Sequence, residues 1–250
     1  MSDQPYATPE AELYGGGNAP EPMPPGLGAQ IAGVFTEPTV LFQKLRAAPS
    51  WVPATILVAV CAVVAVGIWG VRVDWDAMLR PALEANPKVP AEQIDKIIEM
   101  QGRIMPFFAP VGAVIGMAVG TFLPALVFFL LGRSGAEEGS PSYSQALSAT
   151  AVPNLILVPP LILIAVMCLA TAVGGNTPDK ILPTSLGYYL PMENPKLGSL
   201  LRHVDPFFIG VYVVTYLALR HLMKLKPAHA WIGTLICLAT TLGFRVMGAR

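Results

Sequence analysis

The chain has 250 residues, of which 54% are hydrophobic and only 13% charged, with 16 basic and 16 acidic side chains and a mean hydropathy of +0.57. A soluble domain carries about 25% charged residues, so this composition excludes a water-solvated globule. Zero net charge offers no basic surface for nucleic acid. None of the 32 charges falls in five stretches, 47–71, 104–132, 139–178, 206–219 and 227–244, which together make up 126 residues. A helix needs about 20 mostly apolar residues to cross roughly 30 Å of hydrocarbon, and a charge at mid-bilayer costs about 2.5–3.5 kcal/mol. The pattern predicts an all-α, polytopic transmembrane bundle of five spans, its partner the lipid bilayer.

Residues 1–30 hold four acids, six prolines and five glycines, with no Lys or Arg. That is neither the basic n-region nor the apolar h-region of a secretory signal. Residues 1–33 are expected to be a disordered acidic tail, leaving the first span as the insertion signal. Over 34–50, Thr36 reads as an N-cap with Pro38 in the first turn, and Phe35, Pro38, Phe42 and Leu45 lie on a similar side. The segment is either an amphipathic helix on the membrane surface or an ordered lead-in to the first span.

The first span is expected at 51–71, with Trp51 and Trp69 near its ends as an aromatic belt places them. An extramembrane loop follows over 74–105. Within it Ile94, Ile97, Ile98 and Ile104 repeat at helical spacing, with Glu92, Asp95, Lys96 and Glu99 elsewhere on the wheel. This predicts an amphipathic helix over 90–105 packed on the bundle, or one that binds a partner. The second span, 106–131, carries Gly112, Gly116 and Gly120 along one face. Such a ridge lets helix backbones approach closely in lipid. It reads first as packing between spans of one chain, and otherwise as a homodimer contact. Pro124 is expected to kink this helix.

The uncharged run 139–178 is too long for one helix and short for two, and Pro153, Pro159 and Pro160 interrupt it. A loop at 139–144 and one kinked span over 146–173 are expected. Half-helices broken at Pro159 and Pro160, of the kind that line transporter sites, are the alternative. Residues 174–204 read as a proline-rich loop, with Tyr188 and Tyr189 at an interface. Asp205 as an acidic cap and Pro206 at the first helical position open the fourth span, 206–223. Its uncharged core is only 14 residues, so Arg220 has to snorkel. Residues 220–226, RHLMKLK, form a tight basic turn into the fifth span, 227–244.

The chemistry-bearing residues form no known constellation. Metalloprotease, nucleophile-elbow, phosphate-loop and dinucleotide motifs are missing from the sequence. Cys61, Cys168 and Cys237 sit in three different apolar runs without CxxC spacing and read as core side chains. His203, His221 and His229 lie near span ends. His203 beside Asp205 reads first as a cap and interface residue, and otherwise as a proton or metal site. No catalytic, cofactor or metal residues and no small-molecule substrate are assigned. Basic residues number 6 on the tail's side and 10 on the other, whereas the shortest and densest basic loop, 220–226, lies on the tail's side. Charge alone leaves the topology open.

The entry to the first span, with Phe35, Pro38, Phe42, Pro49 and Trp51, and with Pro53 one residue earlier than in the family pattern, resembles that of bacterial members of the Yip domain family, the Ypt/Rab-interacting membrane proteins. The segment 90–101, PAEQIDKIIEMQ, is similar too, as is Tyr143-Ser-Gln-Ala-Leu followed by Val152-Pro153-Asn154-Leu155. The resemblance covers about 34–250. The Asp-Leu-Tyr-Gly-Pro motif of eukaryotic members is absent, and Leu13-Tyr14-Gly15 is a faint echo of it. The resemblance implies a five-span protein of the bacterial inner membrane with a cytoplasmic N-terminus. Eukaryotic relatives bind small GTPases in vesicle traffic, a role not carried over to a chain without their motif. The expected function is non-catalytic, through homo-oligomers or another membrane protein; the alternative is a small transporter or channel at the Pro159–Pro160 break. Removing the tail, residues 1–33, is expected to leave membrane insertion intact, which fractionation with carbonate washing checks; loss of the truncated chain from the membrane fraction contradicts it.

Overall fold

A computed structural model describes residues 23–190 and 194–248. Among them the structure is helical, with one isolated antiparallel bridge between Ala136 and Leu225. Helix α1 (Leu27–Thr36) starts inside the stretch expected to be tail. It is ordered by contacts the composition hides: Gln30 and Val34 are buried, and the Gln30 amide donates to the Pro25 carbonyl at 2.9 Å. The rest of the expected tail, residues 1–22, lies outside the described residues.

Helix α2 (Pro38–Ala47) is capped by Glu37, not Thr36, whose hydroxyl donates back to the Ala32 carbonyl at 2.8 Å. Phe42 and Leu45 are fully buried, and α2 packs on the bundle while Phe35 and Val40 stay exposed. Helix α3 (Val52–Arg72) is the first span. The expected loop beyond it holds α4 (Trp75–Glu84), capped by Asp74, whose carboxylate accepts from the Asp76 and Ala77 amides.

Helix α5 (Ala91–Gly135) is 45 residues long and joins the expected surface helix and second span without a break. Pro106, Pro110 and Pro124 lie inside it. Each removes one backbone donor, and neighbouring helices in lipid keep such helices together. The neighbour here is α3. A Cβ added at Gly70 would lie 3.3 Å from the Pro106 Cα, and one at Gly67 would lie 3.8 Å from Pro110. Small residues on α3 thus receive the two proline turns.

The third crossing, Tyr143–Ala170, consists of α6 (Tyr143–Ala151), a 3-10 segment (Pro153–Leu157) and α7 (Val158–Ala170). Ser142 and Gln145 form a reciprocal capping box at its start. The irregular turn lies at 153–157. Pro159 and Pro160 fall in the first turn of α7, where missing N–H groups are tolerated. The irregularity of this crossing thus precedes Pro159 and Pro160, where the alternative reading placed a break.

The segment expected as loop over 174–204 also contains helices: α8 (Pro178–Ile181), α9 (Leu186–Tyr189) and α10 (Pro195–His203). Helices α11 (Pro206–His221) and α12 (Pro227–Gly248) follow. Among the described residues four helices are long and apolar enough to cross a membrane, or five when α10 and α11, joined at a 60° bend, count as one span.

The main core sits at the end of the bundle that carries the N-terminal helices. Phe42, Leu45, Phe128, Leu155, Leu219, Leu222, Met223 and Leu225 are buried there. A polar clasp closes the same end. The Glu137 amide donates to the Lys224 carbonyl and the Lys226 amide to the Gly135 carbonyl, both at 2.8 Å. Arg220, in the last turn of α11, pairs with Glu137 at 2.9 Å and donates to the Leu225 carbonyl. Arg46 pairs with Glu138 at 2.9 Å, and its hydrogen bond and charge, with Lys224 adding less, hold that carboxyl below its ordinary pKa. The close approach needs glycine. A Cβ at Gly135 would meet the His229 ring at 2.3 Å, and one at Gly132 would meet Pro141 at 2.3 Å. Gly135→Ala is expected to cost about 1–3 kcal/mol of stability through this overlap, read as a lower unfolding temperature in detergent, whereas Gly112→Ala, with open space around it, leaves that temperature unchanged.

Candidate functional site

Three helices that pack closely at the clasp end leave a cleft at the other. Its volume is about 700 Å³. One wall is α5 from Gly116 to Phe128, and the opposite walls are α11 from Phe208 to Thr215 and α12 from Ile236 to Phe244. Thr150 and Asn154 of the third crossing close it. Val119, Leu123 and Phe244 on its rim are all more than two-fifths exposed, so it opens sideways from the bundle.

The glycine ridge finds its place here. A Cβ built at Gly112, Gly116 or Gly120 meets nothing within 4 Å. The ridge is therefore not packed against another span of the same chain, which corrects the first reading of it. Gly116 and Gly120 instead form bare wall in the cleft, and Gly112 lies beyond it. Close helix approach within the chain falls to Gly70, Gly132, Gly135 and Gly233, the last with its Cβ position 2.9 Å from Leu219. No sequence period marks these four, since each faces a different partner. Gly132 and Gly135, which flank Arg133 and Ser134, read from sequence as loop.

The depth of the cleft follows from helix geometry. Thr215 lies nine residues into α11 and Cys237 ten residues into the antiparallel α12. At 1.5 Å per residue both are about 14–15 Å from the span ends, near the middle of about 30 Å of hydrocarbon. Phe208 and Phe244 mark the outer end, on the side of α8, α9 and α10. The cleft thus runs from that interface to mid-bilayer.

Its polar groups are few and mostly committed. The hydroxyls of Thr150, Thr240 and Thr241 donate to the carbonyls of Ala146, Ile236 and Cys237. Tyr212 lies 2.9 Å from His203 Nε2, and the His203 ring stacks on Phe208 at 4.6 Å. The Asn154 amide makes no side-chain hydrogen bond among the described residues, and no charged residue lines the cleft. Pro159 and Pro160, the expected site of a transporter, do not line it; Asn154 and Leu157, just upstream, do.

The outer end is sealed by a buried polar cap. Asp205, fully buried, accepts from the Phe207 amide at 2.8 Å and the Phe208 amide at 3.4 Å, with Pro206 at the first helical position. Its other oxygen accepts from the Thr184 hydroxyl, and Arg202 pairs with Asp179 at 2.9 Å. His203 belongs to this cap through Tyr212 and Phe208. Among the described residues no three His, Cys, Asp or Glu side chains are placed to hold a metal ion, and the three cysteines are free thiols.

Comparison with known proteins places this architecture. The family model described as the Yip1 domain matches residues 32–247. The chain belongs to the Yip1 domain family. It is also similar to a protein of Bacillus subtilis (strain 168) named membrane protein YknW, 25% identical over 207 residues, covering 82% of this chain and 84% of the relative. No solved structure matches the chain. The matched region runs from the middle of α1 into the last turn of α12, so the clasp, the cleft and the cap all belong to the family domain.

Asp205→Ala strips the cap from the Phe207 and Phe208 amides and from Thr184. It is expected to lower stability by about 1–2 kcal/mol, read by thermal unfolding in detergent. Asp205→Asn keeps an accepting oxygen and is expected to retain most of that stability.

Proposed function

We propose that the protein is a non-catalytic, multi-pass component of the bacterial cytoplasmic membrane, with its N-terminus in the cytoplasm, acting by lateral contact with other membrane proteins, copies of itself included. One observation carries the reading. In its longest helix the chain keeps Gly112, outside the cleft, on a face where nothing of its own approaches. Glycine in a helix interior costs about 0.5–1 kcal/mol relative to alanine. In lipid its compensation is close contact with another helix. Phe107, Phe108, Val111 and Ile115 near Gly112 are exposed and extend that face.

The cytoplasmic placement of the N-terminus is supported by the clasp end. Arg46, Arg133, Arg220, Lys224 and Lys226 gather there with Lys44, as short basic loops do on the inner side. Reporter tags on both termini test it, and an externally accessible N-terminal tag overturns it. The contact reading is tested with a photocrosslinking residue at Ile115 in intact cells. A discrete protein adduct is expected, lost on Gly112→Leu while the variant remains in the membrane at normal level; an Ile115 probe that captures no protein sinks the reading.

A further inference from the structure

The cleft is a different surface from the open end of the ridge, because Gly112 does not line it. Its position limits what it can hold. Every lining residue comes from a membrane-crossing segment, and the exposed rim of Val119, Leu123 and Phe244 is continuous with the lipid-facing surface. The medium at its mouth is hydrocarbon. Among the described residues none in the lining is charged, so an ion or charged solute would find no counter-charge from them, and burying it would cost several kcal/mol. A volume of about 700 Å³ falls within the usual range for bound small molecules, roughly 300–1,000 Å³. The glycines set the width, since a leucine at 116 or 120 would project into the space their bare backbone leaves.

We infer that the cleft is a binding site for an uncharged membrane lipid, a hydrocarbon chain carrying an oxygen acceptor that the Asn154 amide meets near mid-bilayer. The apolar walls of Gly116, Val119, Leu123, Val211 and Ile236 take the chain. Asn154 supplies the specificity. An amide without a partner in hydrocarbon is costly, and an ester or hydroxyl oxygen of the lipid relieves that cost, whereas a saturated chain does not. Thr150, Thr240 and Thr241 do not compete, because their hydroxyls already donate within their own helices. Tyr212 and Phe208 tie the outer end of the site to His203 of the cap.

The test uses the full chain in nanodiscs with two photoactivatable probes, a diacylglycerol and a hydrocarbon of equal chain length without oxygen, both bearing a diazirine on the chain. The diacylglycerol is expected to label peptides of α5, α11 and α12 that line the cleft. Gly120→Leu and Thr215→Phe fill the site from opposite walls, so that one misfolded variant does not decide the outcome; each is expected to abolish this labelling. Asn154→Leu preserves shape and is expected to lower diacylglycerol labelling about tenfold, the equivalent of 1.4 kcal/mol, with hydrocarbon labelling unchanged. Gly112→Leu leaves all labelling intact, which separates this site from the protein contact proposed above. Labelling confined to the outer faces of α5, or cleft labelling that Gly120→Leu and Thr215→Phe both leave unchanged, overturns the inference. A diacylglycerol signal indifferent to Asn154→Leu overturns the assigned role of that residue.

Discussion

The structure depends on one constraint: hydrocarbon offers no water to hydrogen-bond a backbone or hydrate a charge. The chain meets it by making every crossing helical and moving its ionised groups to the ends. Those displaced charges then become fasteners. Arg46 and Arg220 reach across from different helices to Glu138 and Glu137, two adjacent residues of one turn, and the turn itself is stitched to 224–226 by backbone hydrogen bonds. Exposed ion pairs contribute little singly, typically about 0–1 kcal/mol. Their weight here lies in fixing which loop meets which, above a core whose packing does the stabilising.

The two ends of the bundle therefore differ in kind. At the clasp end glycines at 132, 135 and 233 let helices touch, and large side chains such as Phe42, Phe128 and Leu219 fill the space. Toward the other end α5 turns glycines to empty space while α11 and α12 stand apart from it, and the cleft is the result. The buried cap around Asp205 and His203 keeps that end ordered without closing the gap sideways. A bundle fastened tightly at one end and held by a cap at the other can keep a lateral opening that a uniformly packed core would collapse.

Much of this was legible in the sequence because solvent writes it in large letters. The spans, the Asp205–Pro206 start of α11 and the kinship carried by Phe35, Pro38, Phe42 and Trp51 all follow from local pattern. What was not legible is tertiary. The continuity of α5 past Pro106 rests on Gly70 of a different helix. The order of 27–33 rests on a buried Gln30. The true packing glycines have no common period, whereas the periodic ones face outward. Asn154 carried no signal, since a lone asparagine next to a proline reads as a turn; only the walls brought around it give it meaning.

The crossing of α3 and α5 adds a mechanical property. Where Gly67 and Gly70 receive Pro110 and Pro106, the backbones of two crossing helices come close, and that point is the contact about which α5 would tilt. The arm from Pro106 to Gly135 is roughly twice as long as the arm from Ala91, at about 1.5 Å per residue. The short arm is held outside the hydrocarbon by Asp95, paired with Arg80 of α4 at 2.7 Å. The long arm carries the cleft wall and ends in the clasp. Any tilt about this contact would carry the two ends of α5 in opposite directions, the Gly135 end about twice as far.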